Sequence, residues 1–123
     1  MRCLIVDDSP EFLDAARRLL EREGIEVVGV ASSGTAAVHL ADELRPDVTL
    51  IDIDLGGEDG LALARRLTEQ EGRPAGKVIL ISTHDEVEFA DLIEASPAIG
   101  FIPKGALEAS TIRRLAGAAP EAR

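Results

Sequence analysis

Five short apolar runs constrain this chain more than any other feature. They are Cys3-Leu4-Ile5-Val6, Val27-Val28-Gly29-Val30, Val48-Thr49-Leu50-Ile51, Val78-Ile79-Leu80-Ile81 and Ile99-Gly100-Phe101-Ile102. Most are β-branched and continuous rather than alternating, which is the pattern of strands covered on both faces. Helical stretches separate them. The first runs from about Pro10 to Glu23, with Ser9 as N-cap, Pro10 at the first helical position and Gly24 just past the end. Phe12, Ala16 and Leu19 are its expected buried stripe. Further helices are expected over about Thr35 to Leu44 (stopped by Pro46), Leu61 to Gln70 (entered through Asp59-Gly60), Asp85 to Ala95 and Ala109 to Ala118. Thr83 and Glu86 have capping-box spacing at the start of the fourth.

The order is therefore (βα) five times. With right-handed crossovers this predicts an α/β fold: one parallel five-stranded sheet with helices on both faces, in the flavodoxin-like doubly wound strand order 2-1-3-4-5. A length of 123 residues suits one domain, expected over residues 1–118, with 119–123 as a C-terminal tail or linker stub. Only Phe12, Phe89 and Phe101 are aromatic, so the core must be aliphatic.

The 23 acidic residues against 13 basic ones give a net charge of −10. That argues against direct nucleic-acid binding, which needs clustered Lys and Arg, and against an anionic membrane surface. The single cysteine, Cys3, sits in an apolar run and reads as a core residue. No disulfide framework, signal peptide or membrane-length apolar run is visible, so a cytoplasmic location is expected.

In such a sheet, ligands bind at the carboxyl ends of the strands, near the point where strand order reverses. The residues expected there are unusual. Strand one runs into Asp7-Asp8, strand three carries Asp52 within Leu50-Ile51-Asp52-Ile53, strand four ends in Ser82 and strand five in Lys104. Clustered carboxylates repel one another and are disfavoured by desolvation; a hard divalent cation such as Mg2+ resolves that conflict. Lys104 adds positive charge and Ser82 a hydroxyl. A nucleophilic carboxylate, a metal, a lysine and a hydroxyl together suit phosphoryl transfer. Singly, each has a blander reading. Asp8 could merely start a helix, Ser82 could be a turn residue, Lys104 a solvated lysine, and Gly56-Gly57 loop-shaping glycines. An acid within a buried strand run, as at Asp52, needs a reason of its own.

In this order and spacing the motifs resemble the receiver domain of bacterial two-component response regulators, from Leu4 to about Leu115. They are Ile5-Val6-Asp7-Asp8, Asp47-Val48-Thr49-Leu50-Ile51-Asp52, Gly60, Ser82 and Gly100-Phe101-Ile102-Pro103-Lys104. The resemblance implies a regulatory phosphoacceptor rather than an enzyme, assisting its own phosphotransfer and autodephosphorylation. Asp52 would accept the phosphoryl group. Asp8 would bind Mg2+ directly, Asp7 largely through water, and the backbone carbonyl of Asp54 would complete the protein ligands beside Asp52. Ser82 and Phe101 would be the switch pair, and Lys104 would pair with the phosphoryl group. Asp54, Thr83 and His84 would form the rim, with Asp54 and His84 tuning the phosphoryl lifetime. A histidine kinase or phosphotransfer protein is the implied upstream partner. Downstream, a protein or output domain would read the helix 4, strand 5, helix 5 face, and a phosphorylation-dependent homodimer is a further expectation.

The chain also departs from the commoner pattern. Leu55-Gly56 replaces the usual Met-Pro after the acceptor, which predicts a more mobile loop. Thr83 stands where a smaller residue is usual. No proline follows Lys104, which leaves the isomer of the Lys104–Gly105 bond open. Rival readings are a haloacid-dehalogenase-type phosphatase built on Asp52-Ile53-Asp54, a flavodoxin-like cofactor binder and a receiver that works by binding alone. The late position of Asp52, the acidic first loop and the intact residue set argue against these in turn. The start at Met1 and the short tail incline the expectation slightly towards a stand-alone receiver over a fragment of a longer regulator.

Overall fold

The computed structural model of the chain describes residues 1–83 and 86–117. Five strands form one parallel sheet: β1 (Arg2–Val6), β2 (Glu26–Ala31), β3 (Val48–Asp52), β4 (Lys77–Ser82) and β5 (Gly100–Pro103), in the order β2-β1-β3-β4-β5. Five helices alternate with them: α1 (Pro10–Arg22), α2 (Gly34–Leu44), α3 (Gly60–Glu69), α4 (Glu86–Glu94) and α5 (Ala109–Ala116). The expected (βα)5 arrangement and its strand order are therefore those of the fold.

The continuous apolar runs are buried because both faces of the sheet are covered. Odd and even positions along each strand serve different layers. Cys3, Ile5, Leu50, Ile79 and Ile81 face α1 and α5, packing with Leu13, Ala16, Leu20 and Ile112. Leu4, Val6, Ile51 and Leu80 face the other side, packing with Ala37 and Ala41 of α2 and Leu63, Ala64 and Leu67 of α3. Thr49, the one hydroxyl in the β3 run, is buried and donates to Ala75 O at 2.7 Å, so it is satisfied locally.

Helix α1 starts as its sequence dictates. Ser9 Oγ accepts the Phe12 N–H at 3.2 Å and Pro10 occupies the first turn, where no N–H is needed. Its buried stripe, however, is Leu13, Ala16 and Leu20. The expected stripe of Phe12, Ala16 and Leu19 is thus shifted by one position at two of three sites. Phe12 and Leu19 lie only partly buried at its edge. Asp85, the expected first residue of the fourth helix, lies outside the described residues, as do residues 118–123. Among the described residues no helix is long and apolar enough to cross a membrane.

A further element joins β3 to α3. Asp54–Leu55 pairs antiparallel with Glu58–Asp59, closing a hairpin through Gly56-Gly57. Both glycines have positive φ, +60° and +104°, which a two-residue hairpin turn of this hand requires. Leu55 is buried in the α2/α3 layer. The loop after Asp52 is thus a paired ribbon with a core anchor.

Candidate acidic site at the carboxyl end of the sheet

Parallel strands in register deliver the polar residues to one edge. Val6 pairs with Ile51, Asp52 with Ile81, and Ser82 with Pro103. The residues just beyond these pairs therefore meet. Asp7 continues the β1 ladder by donating its N–H to Ala31 O at 3.0 Å, and its side chain is fully buried. Asp7 Oδ1 accepts the Ser9 N–H at 2.8 Å, which fixes the turn into α1. Asp8 stays exposed beside it. Asp52 ends β3 and is 4% exposed. Its Oδ1 accepts the Asp54 N–H at 3.1 Å and its Oδ2 accepts from Lys104 Nζ at 3.0 Å.

Lys104 follows β5 in a short 3-10 turn and reaches back between the two buried acids. Its Nζ lies 2.6 Å from Asp7 Oδ2 as well as 3.0 Å from Asp52 Oδ2. Burial alone would lower the lysine pKa, but pairing with Asp7 and Asp52 outweighs it and the net direction is upward. Lys104 therefore keeps its charge. Burial raises the Asp52 pKa above the ordinary carboxylate value, and the Asp7 charge adds to this. Lys104 and the Asp54 N–H oppose them without cancelling them. Desolvation is thus the dominant force on the carboxyl group. At Cys3 burial pushes the thiol up to about 12, which leaves an inert core residue.

Gly60 explains how α3 can begin so close to Asp52. A Cβ there would stand 1.9 Å from Asp52 O, and the Gly60 N–H donates to Ile53 O at 2.9 Å. Only glycine lets the helix start against the end of the strand.

The other expected site residues fall as follows. Ser82 is buried at the end of β4, beside Asp52's own strand. Phe101 is half-buried on β5, opposite Leu80, in the layer that also holds Phe89 and Ile93. Thr83 is exposed at the rim, and so is Asp54, whose backbone N–H rather than its carboxylate engages Asp52. His84 lies outside the described residues. No cis peptide bond is present among them, so Lys104–Gly105 is trans.

Two contacts were not foreseen. The Phe12 ring lies under the lysine, with Nζ 4.6 Å from the ring centroid. The backbone at Gly56 abuts Asp8: a Cβ on that glycine would stand 2.6 Å from Asp8 Oδ2. A signal for the first existed. Phe12 is one helical turn beyond Asp8, and long side chains on a helix reach back over the preceding turn.

The acid cluster suits a divalent cation. Asp7, Asp8 and Asp52 each offer a carboxylate oxygen, all within 4.8 Å of one another. Asp7 Oδ2 is buried against the Lys104 ammonium at 2.6 Å, and a carboxylate oxygen has more than one lone pair. That oxygen keeps lone pairs for a metal or its water, and hard oxygen donors in this number match Mg2+.

Comparison with known proteins agrees with this geometry. A family model for the response regulator receiver domain matches residues 3–116. The chain is 42% identical over 106 residues to the positive alginate biosynthesis regulatory protein of Pseudomonas aeruginosa, covering 85% of this chain and 41% of that protein. It is 35% identical over 107 residues to the response regulator GacA of the same species, covering 86% of this chain and 49% of the relative. The chain thus spans less than half the length of these two relatives. Among solved structures it is similar to the signal receiver domain of NarL from Mycobacterium tuberculosis, with a TM-score of 0.83, 32% identity and coverage of 94% and 95% of the two chains. The phosphatase alternative finds no support, and the second acid of its motif, Asp54, points its backbone rather than its carboxylate at Asp52.

Proposed function

The chain belongs to the response regulator receiver domain family of two-component signalling systems, and from that premise we propose that it is switched by Mg2+-dependent phosphorylation of Asp52. The observation that carries this reading is the buried Asp52 carboxylate, gripped by Lys104 at 3.0 Å and clustered with Asp7 and Asp8. A buried acid whose ionised form is held by a lysine is a positioned nucleophile. One of its oxygens attacks phosphorus, an Asp52 O–P bond forms, and the bond from phosphorus to the donor's leaving group breaks. Bound Mg2+, held by Asp7, Asp8, Asp52 and the Asp54 carbonyl, would neutralise charge on the phosphoryl oxygens. Lys104 adds a fixed positive charge beside Asp52. The Asp54 N–H orients the carboxylate through Oδ1. Ser82, one strand over, supplies a hydroxyl towards the transferred group.

The switch itself is a population shift between two packings, biased by what the phosphoryl group gains in each. Ser82 moving towards Asp52 frees space that Phe101, half-buried on the adjacent strand, takes up. The altered surface is that of α4, β5 and α5, which meets a downstream protein, an output module or a second copy. A histidine kinase or phosphotransfer protein in the cytoplasm supplies the phosphoryl group. Thr83 and Asp54 lie exposed at the rim and, together with His84, set the phosphoryl lifetime.

The test uses acetyl phosphate and Mg2+. Intact-mass measurement is expected to show one added phosphoryl group, stable to acid and labile to base, and to show none on the Asp52→Asn variant. Full labelling of that variant would place the chemistry elsewhere.

A further inference from the structure

The two glycines of the hairpin turn are not equivalent. Gly57 has φ +104°, and a Cβ there would meet nothing within 4 Å. Gly56 has φ +60°, and its Cβ would stand 2.6 Å from Asp8 Oδ2 and 3.3 Å from Asp8 Cγ. The backbone of the hairpin tip is therefore a wall against the one exposed carboxylate of the acidic cluster. Both limbs of the hairpin are anchored. Leu55 on the outgoing limb is buried in the core. On the returning limb, Glu58 Oε1 accepts the Gly34 N–H at 2.9 Å, at the first residue of α2. That is where free N–H groups and the helix dipole favour a carboxylate.

We infer that Gly56, held in place by the Glu58 anchor on α2, is a positioning residue for the cation site: it restrains the Asp8 carboxylate in the orientation that groups it with Asp7 and Asp52. An exposed Asp side chain otherwise samples several rotamers, and a ligand fixed before the ion arrives loses less entropy on binding it. Any side chain at position 56 would occupy the space that Asp8 Oδ2 uses. The inference rests on reading Asp7, Asp8 and Asp52 as the Mg2+ site.

The test is a Mg2+ titration of the whole chain, without phosphodonor, followed by backbone amide NMR and paired with thermal unfolding. Gly56→Ala and Gly57→Ala both put a side chain at positive φ, so both are expected to lower the melting temperature. Only Gly56→Ala crowds Asp8, and it is expected to bind Mg2+ about tenfold more weakly than Gly57→Ala. Glu58→Ala is expected to weaken Mg2+ binding about threefold, the effect of one hydrogen bond. Glu58→Gln, which keeps the acceptor oxygen, is expected to restore it. Equal affinities in the two glycine variants overturn the inference and leave the metal reading standing. No saturable response in the unaltered protein overturns both. Should Gly56→Ala fail to fold, the Glu58 pair decides, and wild-type affinity in Glu58→Ala overturns the inference.

Discussion

At the amino end of the sheet, Met1, Asp47, Lys77, Arg113 and Ala116 line a cavity of about 470 Å3. A cavity of that size is an ordinary place to look for a ligand. Its charges are nevertheless occupied one by one. Lys77 Nζ donates to Ala116 O at 2.6 Å at the end of α5, Arg113 donates to Glu23 O at 2.9 Å, and Asp47 accepts the Arg2 N–H at 2.7 Å. Each is matched to a backbone group, most of them at a helix end, where a cation or anion is a structural cap. At the carboxyl end the charges instead face each other. Asp7 and Asp52 are both buried and share one ammonium. Charges that satisfy backbone build a fold. Charges held against one another in a desolvated place are available to a ligand.

The largest effect expected from this contrast compares the two lysines. Lys104→Met is expected to slow phosphorylation by acetyl phosphate about a hundredfold, since it removes a fixed charge aimed at the transferred group. Lys77→Met is expected to leave the rate unchanged and to lower stability by about 0.5–1 kcal/mol through the lost helix-end contact. Time-resolved intact-mass and thermal unfolding measurements read the two quantities separately. A comparable loss of rate from both would erase the distinction between the ends.

A smaller effect compares the acids. In the folded state Asp52 has a raised pKa, so folded protein binds that proton more tightly than unfolded protein. Ionised Asp52 therefore subtracts stability at any pH above its folded pKa. The penalty fades as pH falls towards the unfolded value, for which 3.8 is the reference. Asp52→Asn is expected to stabilise the protein at pH 7, on the order of 1 kcal/mol or a few degrees in Tm, with the gain vanishing near pH 4. Lys104 is not orphaned by this change, because Asp7 remains beside it. Asp47→Asn weakens the acceptor of a backbone N–H and is expected to destabilise instead. Urea unfolding across pH 4–8 checks both signs.

The parts of this molecule that were legible in sequence are those that depend on composition along a strand. Continuous β-branched runs gave the sheet its two-faced burial, and a carboxylate interrupting one of them, at Asp52, marked the site. Thr49 shows why the chemistry of the residue mattered. It interrupts the same run, but a hydroxyl is satisfied by a nearby carbonyl, here Ala75 O, whereas a buried charge calls for another charge. Less legible were features set by how elements approach one another. The α1 stripe was misplaced by one residue at Phe12 and Leu19, because the helix rotation that decides between Phe12 and Leu13 is fixed by packing and not by periodicity. The pairing of Asp54–Leu55 with Glu58–Asp59 is another such feature. It is anchored by Leu55 in the core and by Glu58 meeting α2, 24 residues away in the chain.

Phe12 carries the smallest of these expectations and the sharpest. Displaced from the buried stripe, its ring lies beneath the ammonium that the two buried acids share, 4.6 Å from Nζ to centroid. The face of the ring is negative and attracts a cation, by about 0.5–1 kcal/mol at exposed sites and about 2 when desolvated. The Lys104 side chain is only 13% exposed, but Asp7 and Asp52 already hold its ammonium, so the ring's added share belongs near the lower figure. Phe12→Leu, which keeps bulk and removes the ring, is expected to slow phosphorylation about two- to fivefold. Phe12→Tyr is expected to stay near the wild-type rate. Because Phe12 also packs on the core, a slower rate alone would not separate the ring's pull on Lys104 from loosened packing. The double-variant cycle does. If the ring acts through the ammonium, Phe12→Leu changes nothing further once Lys104→Met is present. A slowdown of the same size in both backgrounds would make Phe12 a packing residue and leave the buried acids as the only hold on the lysine.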